Sequence, residues 1–187
     1  MIVEAVLLTG GLSRRMGQDK AGLVVKGEPM AARLARLLAS RCGHLTVLGR
    51  EPLPGHKFLA DSEESAGPLS ALSKFVPTAD FVFVAACDLA LFDPRLIDIC
   101  LSLVQGFDAC LPVADGHPQP LCALYRATAW SSIAATVSEG KTSMMAWLDS
   151  IRYRTITAEG LKASGIDPRS VVGANTPEEW AGMTGGV

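Results

Sequence analysis

Short apolar runs alternate with longer amphipathic stretches along most of this chain. A short run without polar positions predicts a strand that is buried on both faces. The clearest one, at residues 81–86, is apolar throughout. On this basis we predict strands at residues 2–8, 45–48, 81–86, 109–113, 121–125 and 153–157, and a short strand that ends near Ala60.

Between these runs, apolar residues recur at the three- and four-residue spacing of helices with one buried face. After Pro29, which suits a first helical position, Met30, Leu34, Leu37 and Leu38 form such a stripe. We predict further helices from Gly67 to Val76, from Pro94, from about Thr128, and from Pro177 with Asn175 or Thr176 as its cap. This alternation of strands and helices predicts an α/β layer sandwich with a mostly parallel sheet.

Length and composition favour one domain. The chain has 187 residues, 49% of them hydrophobic and 19% charged, which is enough for a sizeable core. We therefore expect residues 1–187 to form a single domain. There is neither an apolar stretch of about 18 residues nor a basic segment before an apolar signal core, so we expect a cytoplasmic protein without a membrane partner. Its five cysteines include no C-x-x-C pair and are typical of buried thiols in a reducing compartment.

Charge is distributed unevenly along the chain. The net charge of −2 argues against nucleic acid as a partner. Residues 1–57 nevertheless hold nine Lys and Arg against four Asp and Glu (+5), and the remainder holds eight against fifteen (−7). The first third therefore suits an anionic ligand, although arginines on a helix surface are more often simply solvated.

Glycines and cations follow the first predicted strand, in the sequence LTGGLSRRMGQDKA at residues 8–21. Gly10 and Gly11 lack a Cβ, so their main-chain N–H groups can approach a bulky anion closely. Arg14, Arg15 and Lys20 add positive charge that suits a polyphosphate. The spacing fits neither a Walker A loop nor the G-x-G-x-x-G fingerprint. An ordinary strand-to-helix connection with surface arginines is the alternative.

Two aspartates, Asp61 and Asp88, also follow predicted strands. If those strands are parallel, both carboxylates lie at the same edge of the sheet as the glycine loop. Carboxylates beside a polyphosphate favour Mg²⁺, which takes one or two carboxylates together with phosphate oxygens and water, so Asp88 alone is a sufficient anchor. Each aspartate could instead serve a turn, Asp88 before Leu89 and Asp61 with Ser62.

The motif at residues 8–21 resembles the signature L-A-G-G-x-S-x-R-M-G-x-D-K-A of the molybdenum cofactor guanylyltransferases. Further marks of that family extend the resemblance over essentially the whole chain, at residues 61–62, 67–69, 87–88, 117–121, 123–125 and 175–179. The resemblance implies the nucleotide-diphospho-sugar transferase fold. This fold is a Rossmann-like three-layer α/β/α sandwich with a mostly parallel mixed sheet.

The resemblance also implies a reaction, in which GMP passes from GTP to the phosphate of molybdopterin and pyrophosphate is released. The implied ligands are GTP, molybdopterin (the molybdenum cofactor) and Mg²⁺, and molybdoenzyme maturation proteins are a further class of partner. In the implied site, GTP is bound by Leu8, Thr9, Gly10, Gly11 and Lys20. Asp61 contacts the guanosine, and Asp88 holds Mg²⁺. Arg15 stabilises charge on the triphosphate, and Asn175 lies near the pterin phosphate or metal. Arg15, Lys20 and Asp88 are the implied catalytic residues.

The chain departs from the family pattern at two places. Thr9 replaces the usual alanine, which a main-chain contact would tolerate. Leu48 and Gly49 stand where the family often has an asparagine that touches the nucleotide, so one expected contact is missing. Residues 117–121 and 141–145 are candidates for the pterin-side wall from their position alone.

Three other functions are weighed against this one. A molybdopterin cytidylyltransferase or a sugar-phosphate nucleotidyltransferase would have the same fold, and a nucleotide-binding regulator would have lost catalysis. A hydrolase is not indicated, because no G-x-S-x-G elbow occurs. Zinc binding by Cys110, His117 and Cys122 is not indicated either, because their spacing matches no known zinc site.

Overall fold

The structure is a computed structural model that describes residues 1–10, 23–25, 27–61, 67–174 and 176–185. Its strands are β1 (Val3–Leu8), β2 (Val24–Val25), β3 (Glu28–Pro29), β4 (His44–Gly49), β5 (Lys57–Ala60), β6 (Phe81–Ala86), β7 (Ala109–Ala114), β8 (His117–Pro118), β9 (Cys122–Arg126) and β10 (Tyr153–Ile156). Its helices are α1 (Met30–Ala39), α2 (Gly67–Leu72), α3 (Arg95–Leu103), α4 (Ala127–Ser138), α5 (Met144–Leu148), α6 (Ala158–Ala163) and α7 (Pro177–Thr184), with a short 3-10 helix at Pro168–Val171.

The main sheet has the strand order β10-β7-β9-β6-β1-β4-β5, and β8 pairs with β7 beside this path. β1 is parallel to β4 and β6, β4 to β5, and β7 to β10. β9 runs antiparallel to both β6 and β7. The chain reverses before it at Asp115 and Gly116, whose φ angles of 50° and 77° are those of a tight hairpin turn. The prediction of a mostly parallel mixed sheet is confirmed.

Helices cover both faces of this sheet, because its central strands are apolar on both sides. In β6, Phe81, Phe83 and Ala85 pack on the side of α1 and α3. Val82 and Val84 pack on the opposite side, against α2, α4 and α5. All six residues of β1 are buried. The expected three-layer α/β/α sandwich is therefore confirmed, and continuous apolar runs mark its central strands.

The predicted helix from Gly67 to Val76 is wrong at its end. α2 stops at Leu72, two turns follow it, and the Val76 side chain is 76% exposed. The reason is Pro77, because a proline excludes helical backbone at the residue before it. The described part of the chain also contains elements that we did not predict, namely β2, β3, β8, α5, α6 and the 3-10 helix at Pro168–Val171.

The five cysteines are buried thiols, as predicted. Burial raises the pKa of the Cys42 thiol to about 12, so this side chain stays protonated and apolar at neutral pH. None of the helices in the described ranges is both long and apolar enough to cross a membrane.

Candidate active site

The carboxyl ends of β5, β4, β1 and β6 lie side by side at one edge of the sheet. Because these strands are parallel neighbours, the residues that follow them meet there. The main-chain hydrogen bonds that continue the alignment past the strand ends run from Thr9 N–H to Leu48 C=O (2.9 Å), from Asp61 N–H to Gly49 C=O (2.8 Å) and from Cys87 N–H to Leu8 C=O (3.0 Å). The prediction that Asp61, Asp88 and the start of the glycine loop share one edge is confirmed in the geometry.

Gly49, at the end of β4, has no room for a side chain. A Cβ built on Gly49 would lie 2.0 Å from Thr9 Oγ1 and 2.9 Å from Gly10 N. The Thr9 hydroxyl thus takes up the space that a side chain at position 49 would need. The threonine at position 9 therefore fits the glycine at position 49, although Gly10 N on the main chain also limits the space for a side chain there.

The Thr9 hydroxyl is itself unusual, because its oxygen is buried and the described residues offer it no hydrogen-bond partner. Leaving a buried hydroxyl unpaired costs about 1–3 kcal/mol. The Thr9 N–H group and the Leu8 carbonyl are already used in main-chain bonds at the sheet edge. The first main-chain N–H group of this loop that can donate a hydrogen bond to a ligand is therefore that of Gly10.

Asp61 is approached by one glycine and one lysine. A Cβ built on Gly10 would lie 3.3 Å from Asp61 Oδ2, so the missing side chain lets the loop pass close to the carboxylate. Lys74 Nζ lies 3.8 Å from Asp61 Oδ1, and both side chains keep part of their solvent exposure. Sequence reasoning missed Lys74. The sequence nevertheless singles out Lys74, because it is the one Lys or Arg between Lys57 and Arg95.

Asp88 follows β6 and packs against a segment near the carboxyl end of the chain. Its carbonyl accepts hydrogen bonds from Ala90 N–H and from Ala174 N–H, each 3.0 Å long. A Cβ built on Gly173 would lie 2.6–2.9 Å from the three atoms of the Asp88 carboxylate. The bond from Ala90 shows that Asp88 does shape a local turn, as the alternative interpretation predicted. Sequence reasoning missed Gly173, for which the sequence held no signal.

One of the two candidates for the pterin-side wall reaches this edge. Leu121 C=O accepts a 2.9 Å hydrogen bond from Ala86 N–H, at the end of β6. The Tyr125 hydroxyl donates a 2.8 Å bond to Pro120 C=O, and burial raises the pKa of this phenol well above its usual range. In the other candidate, Thr142 C=O accepts a 3.3 Å hydrogen bond from Leu69 N–H in α2. The contact of either segment with a pterin stays a prediction.

Some predicted site residues, namely Gly11, Arg15, Lys20 and Asn175, fall outside the described residues, and their roles stay predictions. Within the described ranges, no cluster of three or more His, Cys, Asp or Glu side chains could enclose a metal ion. The edge instead offers Asp88, a half-buried carboxylate. A single carboxylate is the protein donor that Mg²⁺ accepts when phosphate oxygens and water complete its shell.

Comparison with known proteins identifies relatives over nearly the whole chain. Residues 5–155 match the family described as the MobA-like NTP transferase domain. A protein of Synechococcus elongatus named probable molybdenum cofactor guanylyltransferase is 31% identical, and the match covers 98% of each chain. A protein of the same name from Pelotomaculum thermopropionicum is 29% identical over 93% of this chain and 88% of its own.

A solved structure supports the same fold. The molybdopterin-guanine dinucleotide biosynthesis protein A of Archaeoglobus fulgidus superposes with a TM-score of 0.80 over 97% of each chain. Its sequence identity is 19%, so this likeness concerns the fold alone.

Proposed function

The chain belongs to the family of MobA-like NTP transferase domains, and we propose that it transfers GMP from GTP to the terminal phosphate of molybdopterin. The observation that carries this proposal is the meeting of Asp61, Asp88 and Gly10 at the carboxyl edge of four parallel strands. That edge is where open α/β sheets bind their ligands. The products are molybdopterin guanine dinucleotide and pyrophosphate.

The reaction asks the protein for positioning and electrostatics more than for covalent chemistry. A phosphate oxygen of molybdopterin attacks the α-phosphorus of GTP and forms the new P–O bond. The bond between that phosphorus and the oxygen bridging to the β-phosphorus breaks, and the electron pair leaves with pyrophosphate. Holding the two phosphates in line and balancing the negative charge that develops are sufficient for such a transfer.

The residues of the edge divide this work. We assign the triphosphate to the main chain from Gly10 and Gly11 onward, with Arg15 and Lys20 balancing its charge. Asp61 lies at the end of β5, where it would accept hydrogen bonds from the guanosine. Leu8 and Thr9 shape the floor of this site, and Asn175 would contact the pterin phosphate or the metal.

We further assign a Mg²⁺ ion to Asp88, the described carboxylate that follows β6. The fit rests on the donor and on the space, because the carboxylate is half-buried and Gly173, whose backbone lies against it, contributes no side chain there. When bound, Mg²⁺ would supply positive charge at the phosphates. Asp88 would hold that charge in place.

We propose that residues 1–187 act in the cytoplasm as one nucleotidyltransferase domain. GTP and molybdopterin would be its substrates, and molybdoenzyme maturation proteins would receive the product. The net charge of −2 supports neither nucleic acid nor an acidic membrane surface as a partner.

One assay separates this function from its rivals. The protein is offered GTP, CTP or ATP separately, with Mg²⁺ and molybdopterin, and pyrophosphate and dinucleotide are both quantified. We expect equal amounts of pyrophosphate and guanine dinucleotide with GTP, and little of either with CTP or ATP. A preference for CTP would make the protein a cytidylyltransferase. Binding of GTP without pyrophosphate release would make it a nucleotide-binding regulator.

A further inference from the structure

A short segment near the carboxyl end of the chain reaches the candidate active site. Residues 172–174 lie beyond the region at 5–155 that matches the family. Ala174 N–H donates to the Asp88 carbonyl over 3.0 Å. The segment is therefore attached to the main chain of the residue to which we assign the metal.

The closest approach within this contact is made by Gly173. A Cβ built on it would lie 2.6 Å from Asp88 Oδ1, 2.7 Å from Cγ and 2.9 Å from Oδ2. All three distances are below 3.0 Å, a separation that real Cβ atoms essentially never show. Gly173 is not among the glycines with positive φ, so its backbone would admit an alanine. The three nearest atoms that a side chain at position 173 would meet all belong to the Asp88 carboxylate.

The neighbours of Gly173 fix it in place. Val171 is 1% exposed and Ala174 is not exposed at all, so the core grips the segment on both sides of the glycine. The preceding 3-10 helix is capped by Asp167, whose carboxylate accepts a 2.9 Å hydrogen bond from Arg169 N–H. A side chain at position 173 would therefore move the carboxylate rather than the segment, because rotating one short side chain costs less than repacking the core.

We infer that Gly173 is a positioning residue for Asp88, and that the missing side chain sets where the carboxylate stands at the end of β6. This inference rests on the proposed function in so far as Asp88 holds the metal. Changing a residue that orients a metal ligand typically weakens metal affinity by about 10- to 100-fold.

The test compares Gly173→Ala with Gly182→Ala, a matched control. A Cβ on Gly182 would meet nothing within 4 Å, so the same chemical change is made there without a contact. Mn²⁺ is titrated into each variant with GTP present and followed by electron paramagnetic resonance. GTP affinity without metal, the thermal midpoint, and kcat as a function of Mg²⁺ are measured alongside.

We expect Gly173→Ala to weaken Mn²⁺ binding by about tenfold or more and to raise the Mg²⁺ concentration at half-maximal kcat equally. Its affinity for metal-free GTP should match that of the wild type. Gly182→Ala should match the wild type in metal affinity, GTP affinity and kcat, with an equal or higher thermal midpoint because alanine favours the α7 helix. Wild-type Mn²⁺ affinity in a folded Gly173→Ala protein would overturn the inference. If no variant forms dinucleotide but the Mn²⁺ difference persists, the proposed function fails and the role of Gly173 stands.

A stability cycle keeps the inference testable if Gly173→Ala folds poorly. Unfolding is measured for the wild type, Gly173→Ala, Asp88→Ala and the double variant. Once the carboxylate is removed, an alanine at position 173 has room, so its destabilising effect should largely disappear in the Asp88→Ala background. Additive effects of the two substitutions would contradict the contact on which the inference rests.

Discussion

The two ends of the central strands place a carboxylate in different surroundings. Glu4, near the start of β1, is 3% exposed and accepts hydrogen bonds from Thr78 N–H (2.5 Å), Thr78 Oγ1 (3.0 Å) and Ala79 N–H (2.8 Å). Asp88 follows β6, the parallel neighbour of β1, and is half-buried against the backbone of Gly173.

The difference indicates that the amino edge of the sheet supports the fold, whereas the carboxyl edge serves the ligand. At the amino edge, both oxygens of the buried Glu4 carboxylate accept hydrogen bonds from the connection that leads into β6, because a buried carboxylate needs donors. At the carboxyl edge, Gly10 lies against the Asp61 carboxylate and Gly173 against the Asp88 carboxylate, so neither position places a side chain there. The buried Glu4 carboxylate supports the fold, whereas the half-buried Asp88 carboxylate keeps exposed surface that can meet a ligand.

The strongest way to break this comparison is to neutralise the acid at the carboxyl edge. Asp88→Asn keeps the shape of the side chain and removes its charge. We expect turnover to fall by about 10²- to 10³-fold, the usual effect of losing one group that stabilises charge in a transfer reaction, while the thermal midpoint stays close to that of the wild type. The measurement is the rate of dinucleotide formation from GTP.

Asp98→Asn is the control for this experiment, because Asp98 is an exposed carboxylate on α3 that pairs with Arg41. An exposed ion pair contributes little, so this variant should keep both its rate and its stability. Near-normal dinucleotide formation by Asp88→Asn would contradict the role of Asp88.

The reverse effect is expected at the amino edge. Glu4→Ala removes the acceptor of the Thr78 N–H, Thr78 hydroxyl and Ala79 N–H groups, which should lower the free energy of unfolding by about 1–3 kcal/mol. Because Glu4 lies at the far end of β1, kcat per folded molecule should not change. Chemical denaturation and assays on the folded fraction measure the two quantities. A Glu4→Ala variant with wild-type stability but reduced kcat would contradict the distinction between the two edges of the sheet.

The carboxyl edge of the sheet was predicted better from the sequence than the amino edge. Asp61 and Asp88 were predicted to lie at one edge because parallel strands bring their carboxyl ends to the same side of a sheet, and this requires only that the strands are parallel. Lys74 and Gly173 were missed because their contacts depend on where later segments pack. Glu4 was absorbed into an apolar run, since one buried acid among hydrophobic residues does not disturb a strand pattern.

The fold shows the same limit at a smaller scale. Runs buried on both faces predicted the central strands, and the hydrophobic stripe predicted α1. Elements as short as β2 and β3, of two residues each, have no periodicity to detect. α6 did carry a signal, because the Thr157 hydroxyl caps it by accepting a hydrogen bond from Gly160 N–H.

The steric fit of Thr9 and Gly49 gives the finest test of the carboxyl edge. Gly49→Asn places a Cβ where Thr9 Oγ1 stands, at a built distance of 2.0 Å, so we expect it to lower the free energy of unfolding by about 1–3 kcal/mol and to weaken GTP binding. Thr9→Ala removes that hydroxyl, which is buried without a partner among the described residues, and should leave stability unchanged or raise it. In the double variant the closest contact is gone but Gly10 N still lies 2.9 Å from the Cβ at position 49, so part of the lost stability and GTP affinity should return. Calorimetric titration with GTP and denaturation of all four proteins measure the coupling. If the double variant has the same stability and GTP affinity as Gly49→Asn, the two substitutions do not compensate each other. The missing side chain at Gly49 would then serve the close approach of Gly10.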